Sequence, residues 1–350
     1  MNNVEINYGQ FMMMLNSTIL KECTIEITNG CPFKCDHCYV EKSEIKMMTL
    51  EQFKDIINQL LKIQCNVILI TGGEPMANPA FLDMYIYAKK KGMIVHVNTT
   101  CFLMNEKILN TFIKYKPKSI EISLYGYDNI TYEKFTHKEE AFDKVFENIK
   151  KLKTNNINIS LKSVLTKKNY NYIDKLKELS QKNNIRFRYD YIVFPKVIDN
   201  KFEKNEEALD VNSIIKVIKQ DNNDAEYFKN AVKNVKQFEG KENNINEVFQ
   251  CTLGKDRAFI DCNLYIKPCL VVPIKYNLND YSLKEAIKLM NEEVANIKFK
   301  SESKCKNCYK RKLCRYCPGR FFLETGSYEV APKFYCEMAD ALIKEFDDEI

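Results

Sequence analysis

The sequence predicts an α/β protein: a parallel β-sheet layered with helices, followed by a cysteine-rich C-terminal region. Three observations carry that expectation. From Cys23 to about Phe194, short apolar runs alternate with longer amphipathic ones. Strand-like runs are CTIEIT, NVILITGG, MIVHVNTT, KSIEISLYG, INISLKSVL and IRFRYDYIV, and segments such as LEQFKDIINQLLKI and NYIDKLKELSQKNN between them carry the helical period. Six such repeats imply right-handed crossovers in a sheet that is either open or curled into a partial barrel. From Cys251 onward cysteines return and periodicity fades, until a final helix expected from about Glu337 to Phe346.

The bulk composition narrows the class. At 350 residues the chain can form one large domain and a smaller one, and 45% hydrophobic with 29% charged residues is ordinary for a globular protein. The net charge of +6 arises from 53 basic and 47 acidic side chains, interleaved along the chain, so no nucleic-acid surface is indicated. No apolar run reaches the length of a membrane span, and the start MNNVEINYGQFMMMLNS lacks the marks of a secretory signal. The expected location is the cytoplasm, where thiols stay reduced. Fourteen cysteines there argue for metal rather than disulfides.

In parallel α/β sheets the chemistry gathers at the C-terminal strand ends, where NGC, TGGEP, NTT and SLYG fall. CPFKCDHC sets Cys31, Cys35 and Cys38 at C-x3-C-x2-C spacing just after the first strand. Three thiolates on one loop can hold three irons of a 4Fe–4S cube and leave the fourth iron open. A zinc knuckle would need a fourth ligand, for which the loop offers only His37. In TGGEP, glycines permit close backbone approach and Glu74 can take an ammonium group.

In this order and at these strand ends, the motifs resemble those of the radical S-adenosylmethionine (SAM) superfamily. The resemblance implies a partial (β/α)6 barrel in which Cys31, Cys35 and Cys38 bind a cluster whose open iron chelates SAM. It further implies that His37 lies against the adenine, that Gly72, Gly73 and Glu74 hold the methionine amino group, and that Asn98 and Ser123 meet the ribose or carboxylate. Asn98 as a helix cap and Ser123 as a satisfied strand-end hydroxyl are the plainer alternatives. Tyr39, Glu121 and Lys162 remain unassigned.

The later cysteines follow a second pattern. Two C-x2-C pairs, Cys305/Cys308 and Cys314/Cys317, could form a zinc site, but Cys251, Cys269 and Cys336 bring the set to seven, too many for one zinc. IDCNLYIKPC, CKNCYKRKLCRYCPG and FYC resemble a SPASM domain, which carries auxiliary 4Fe–4S clusters. Two departures stand out: Leu264 where the family commonly has Gly, and two rather than three residues between Cys314 and Cys317. The resemblance implies two auxiliary clusters, one on Cys305, Cys308, Cys314 and Cys336, the other on Cys251, Cys269 and Cys317. Cys23, Cys65 and Cys101 read as buried thiols. Cys262 is expected not to be a ligand, because strand geometry sets it on the order of 15–20 Å from Cys269.

The expected layout is an N-terminal extension (1–20), the barrel (21–194), a helical connector or lid (195–250) with helices near Glu207–Lys219 and Ala225–Phe238, and the SPASM region (251–350). The function the resemblance implies is oxidative modification of a ribosomally made peptide by a thioether, a carbon–carbon crosslink or dehydrogenation. Sulfatase-maturation-like oxidation of a protein side chain and small-molecule dehydrogenation are the alternatives. Barely twenty residues precede the first strand, so leader recognition is expected from a separate protein or from the connector. An electron donor such as flavodoxin or ferredoxin completes the expected partners, with neither nucleic acid nor membrane among them.

Overall fold

A computed structural model describes residues 20–40, 44–198, 201–241, 245–251, 255–300 and 302–347. Apart from Leu20, the expected N-terminal extension lies outside these residues. Strands β1 (Glu22–Glu26), β2 (Val67–Thr71), β3 (Ile94–Thr99), β4 (Ser119–Ser123), β5 (Ile159–Val164) and β6 (Arg186–Asp190) pair in parallel, in chain order. Helices α1 (Leu50–Lys62), α2 (Phe81–Lys90), α3 (Glu106–Lys114), α4 (Asn129–Thr136), α5 (Ala141–Thr154) and α6 (Ile173–Lys182) connect them. The architecture is the α/β partial barrel that the motifs implied. Helix α1 shows how sequence dictates such an element. Thr49 and Gln52 close a capping box at its start, and Phe53, Ile56, Ile57 and Leu60 form one buried stripe.

Burial alternates along the strands. Cys23 and Ile25, Ile68 and Ile70, Val95 and Val97, Ile120 and Ile122 are buried. By register, Thr71, Asn98, Glu121, Ser123, Lys162, Arg188 and Asp190 share the opposite face, and none of them is buried. A parallel sheet is usually apolar on both faces. Here one face is polar because it lines the inside of a barrel that does not close: β6 is the outer strand on its side.

The other edge departs from expectation. Past β1 the sheet continues through β9 (Arg257–Ile260), parallel to β1, and then β10 (Tyr265–Lys267) and β11 (Tyr276–Asn277), both antiparallel, making nine strands. The cysteine-rich region is therefore joined to the barrel by backbone hydrogen bonds. Leu264, in the β9–β10 turn, adopts the left-handed φ of 66°, the conformation for which glycine is favoured.

Periodicity also persists beyond Cys251. Helix α9 (Leu283–Asn296) buries Leu283, Ala286, Ile287, Met290 and Val294 behind a Ser282 cap, and α10 (Pro318–Thr325) follows. The last helix, α11 (Lys333–Phe346), starts earlier than expected, directly after Pro332. In the connector, β7 (Lys196–Ile198) and β8 (Lys201–Glu203) form a small hairpin before α7 (Val211–Gln220) and α8 (Asn222–Lys236). Helices α7, α8 and α11 share a second core with Leu313, Cys314 and Phe321.

Candidate active site

The strand ends open on a cavity of about 280 Å³ whose walls include Cys31, Cys35, Cys38, His37, Gly72, Gly73, Asn98 and Ser123. The cysteine loop is shaped by the protein around it. Thr28, fully buried, accepts from the Gly30 N–H at 3.0 Å and donates to the Lys46 carbonyl at 2.8 Å. Within the loop the Cys38 N–H donates to the Cys35 carbonyl at 3.0 Å. The Lys34 N–H reaches the Thr136 carbonyl at the end of α4 at 3.0 Å. Asp36 accepts from His137 Nε2 at 2.7 Å and pairs with Lys168. Burial pushes the Asp36 carboxyl up, but the hydrogen bonds from Lys168 and His137 prevail and hold it below the usual carboxylate range. The ring of His37 lies 4.9 Å from those of both Tyr125 and Phe135, which orient it on the cavity wall.

Gly72 and Gly73 serve the scaffold directly. A Cβ on Gly72 would stand 2.6 Å from the Thr28 carbonyl oxygen, and one on Gly73 would stand 2.5 Å from those of Asn29 and Gly30. The two loops are stitched at this approach by Gly73 N–H to Thr28 O and Glu74 N–H to Gly30 O, each 2.8 Å. Glu74 is tied into the scaffold as well. It is fully buried, does not line the cavity, and its two oxygens accept from the Met76 N–H, the Thr99 hydroxyl, the Thr100 N–H and the Thr100 hydroxyl. Burial pushes its carboxyl up, against those four hydrogen bonds. Thr99 and Thr100, which the sequence reading passed over as part of NTT, are thus tied to the second motif.

Tyr39, Lys162 and Asp190 also line the cavity. Burial lowers the Lys162 ammonium from its ordinary value, and Glu121, 3.9 Å away, only partly offsets this. Glu121 stands behind Lys162 and is held bidentately by Arg188, both contacts 2.5 Å. Asp190 ends β6 without a motif around it, and its partner Arg315 is distant in sequence. Its Oδ1 accepts from the Ile192 N–H at 2.9 Å and Arg315 Nη1 at 3.1 Å, while Oδ2 has no hydrogen-bond partner among the described residues.

The seven later cysteines fall into two groups. Cys251, Cys269 and Cys317 line one cavity of about 460 Å³. Burial raises the Cys314 thiol to about 12, with Cys308, Cys305 and Cys336 close enough to raise it further. Cys262 stands apart from both groups, its Sγ directed to Glu26 Oε1 at 3.4 Å. Cys23, Cys65 and Cys101 are completely buried. Among the described residues, no three His, Cys, Asp or Glu side chains are close enough to hold a single ion. Thiolates around one zinc stand only about 3.8 Å apart, whereas in a cube each thiolate takes its own iron. The thiols of Cys251, Cys269 and Cys317, facing one cavity with no carboxylate or imidazole in its wall, suit a cube with one open iron.

Residues 25–180 match the family model described as "Radical SAM superfamily". Over these residues the chain is similar to the radical SAM superfamily. Among its relatives, Fe-coproporphyrin III synthase of Methanosarcina barkeri is 25% identical over 53% of this chain and 49% of its own length. The antilisterial bacteriocin subtilosin biosynthesis protein AlbA of Bacillus subtilis is 29% identical over 48% of this chain and 39% of its own length. The chain thus spans about half the length, or less, of these curated relatives. A solved structure of anSMEcpe, with bound AdoMet and the Kp18Cys peptide, superposes with a TM-score of 0.70 at 17% identity, covering 93% of this chain and 96% of that one. That likeness extends through the cysteine-rich region. Among the described residues, no helix is long and apolar enough to cross a membrane.

Proposed function

We propose that this protein oxidatively modifies a ribosomally made peptide, using SAM, one cluster at Cys31, Cys35 and Cys38, and two auxiliary clusters. The observation that carries the reading is the wall between two cavities. Leu270 lines the cavity of the first three cysteines, and its neighbour Cys269 lines that of Cys251 and Cys317. An electron acceptor at Cys269 would thus stand one residue from the place where substrate reacts. The name of AlbA and the peptide in the anSMEcpe structure favour a peptide over a small molecule.

SAM held at Cys31, Cys35 and Cys38 would supply a 5′-deoxyadenosyl radical able to take a hydrogen atom from a substrate C–H bond. This chain's residues do the rest by position. The Asp36 clamp fixes the cysteine loop, Asn98 and Ser123 present polar groups to the ribose or carboxylate, and Lys162 offers a cation at the same wall. Asp190 Oδ2 takes the proton that the oxidised substrate must release, so that one hydrogen atom, one proton and one electron leave in balance. Anaerobic reconstitution should give roughly twelve irons per chain and no stoichiometric zinc. With dithionite and SAM, a peptide encoded beside the gene should emerge lighter by two hydrogens per bond formed. Two zincs with about four irons would remove the auxiliary clusters from the proposal. Release of 5′-deoxyadenosine with no peptide altered would remove the substrate class.

A further inference from the structure

A larger cavity, of about 1070 Å³, opens between the connector and the C-terminal helices α10 and α11. Ile192 and Val193 belong to its wall and also to that of the catalytic cavity, so the two spaces adjoin. The catalytic cavity, at about 280 Å³, is at the low end of the roughly 300–1,000 Å³ that holds one drug-sized molecule. SAM and a peptide segment cannot both fit in it, and the chain on either side of a reacting residue must lie elsewhere. The larger cavity carries both signs of charge, Lys167, Lys204 and Lys333 against Glu206, Asp210 and Glu324. Such a lining selects neither an anion nor a cation, and suits a neutral amide backbone with mixed side chains. The hairpin of β7 and β8 stands on its rim: Pro195, directly before β7, and Lys204, directly after β8, both line it. The hairpin is a separate two-stranded sheet. Strand β8 packs against α10, while the outer edge of β7 has no backbone partner among the described residues. A lone two-stranded hairpin is marginal in water, and an unpaired edge is a template for a further strand.

We infer that the substrate peptide adds to the outer edge of β7 as a third strand, with its flanking residues in the larger cavity and its reacting residue carried past Ile192 and Val193 to the cysteine loop. The inference rests on the peptide reading and names how that peptide is held. Main-chain hydrogen bonds to β7 supply affinity with little regard to sequence. Side chains alternate along an added strand, so every second one meets the cavity and supplies selectivity.

The test uses the reconstituted holoenzyme with SAM, dithionite and the peptide encoded beside the gene. Ala208→Trp and Asn212→Trp each place an indole at the larger cavity, and Asn212 is exposed, so the second variant keeps the fold intact. Both should raise the KM for the peptide by about tenfold, with kcat, SAM affinity and melting temperature as in the wild type. N-methylation of single peptide residues beside the reacting one should raise KM by about three- to tenfold at every second position and little between, because only alternate N–H groups of an added strand face β7. Wild-type KM in both tryptophan variants would overturn the inference, as would N-methyl effects that do not alternate. A dimer that sediments as such without peptide, with KM unmoved by either tryptophan, would give the edge of β7 to a second copy of the chain and also overturn it. Release of 5′-deoxyadenosine by the wild type with no peptide altered would remove the peptide reading and the docking together. A peptide altered equally well by every variant would remove the docking alone.

Discussion

The loop bearing Cys31, Cys35 and Cys38 and the segments bearing Cys305, Cys308, Cys314 and Cys336 are held in place by different means. In the barrel, Thr28, Asp36, Asn78 and Gly73 fix the loop chiefly through oxygen and nitrogen groups. Asn78, for example, donates to the Ile27 and Met48 carbonyls, both at 2.9 Å. In the C-terminal region the cysteines sit on turns, at the N-cap of a short 3₁₀ segment (Tyr309–Lys312) and at the starts of α10 and α11. Their shared core is the smaller one, with Cys314 itself part of it. On the proposed reading, the first site is shaped before a cluster arrives, whereas the second takes its cluster as part of the fold.

The largest effects should expose that contrast. Replacing Cys31, Cys35 and Cys38 together by Ala should abolish 5′-deoxyadenosine formation and remove about four irons. The circular dichroism and protease resistance of the chain should stay as they were. Replacing Cys305 and Cys308 by Ala should instead open the region after Cys251 to limited proteolysis while the barrel stays resistant. Equal proteolysis of both regions in the first variant would refute the idea that the barrel loop is shaped without metal.

The same contrast explains what the sequence could reveal. The six barrel strands were legible because each motif terminates an apolar run, and a parallel α/β chain repeats that unit. Asp190 was not legible, since its role depends on Arg315, distant in sequence and adjacent only after folding. The pairing of β9 with β1 was hidden for the same reason. Helix α9 did carry a signal, Ser282 before Glu285 and an apolar stripe, which the density of cysteines around it masked. Glu74 was legible as a motif residue, but its hydrogen-bond partners were not. The residues that turn it inward, Thr99 and Thr100, belong to a different strand end.

Glu74 supplies the next test, on the boundary between scaffold and binding site. Glu74→Ala would strand buried donors on Thr99, Thr100 and Met76, a loss of about 3 kcal/mol, since hydrogen bonds to a charged acceptor are individually worth ~1.5–3 kcal/mol. The melting temperature should fall, and SAM affinity should fall with it as the wall loosens. Glu74→Gln should lose less of both. A collapse of SAM affinity at an unchanged melting temperature would restore the carboxylate as a direct ligand of the amino group.

The smallest effect lies where the two regions meet, at Glu26 of β1 and Cys262 of the β9–β10 turn. Burial, with the Asp261 carboxylate adding to it, pushes Glu26 up to about 7, and the contact with Cys262 opposes the rise. The Cys262 thiol is itself raised to about 12, chiefly by burial and then by Glu26. A carboxyl whose folded value lies above its unfolded one favours the fold at low pH. As pH rises through the window between the unfolded and folded values, the unfolded chain releases its proton first and that stability is lost. Between about pH 5.5 and about pH 7 the loss is about 2 kcal/mol. Thermal midpoints should therefore decline across this window in the wild type and decline less in Glu26→Gln; parallel curves would mean that Glu26 is not the titrating group. Cys262→Ala should keep all the iron and the spectra of both auxiliary clusters, because the thiol serves the acid and not the metal. It should also steepen the decline slightly, since Glu26 loses a donor that favours its ionised form. Loss of a cluster in Cys262→Ala would make this thiol the fourth ligand beside Cys251, Cys269 and Cys317, and would require the turn to move on cluster binding.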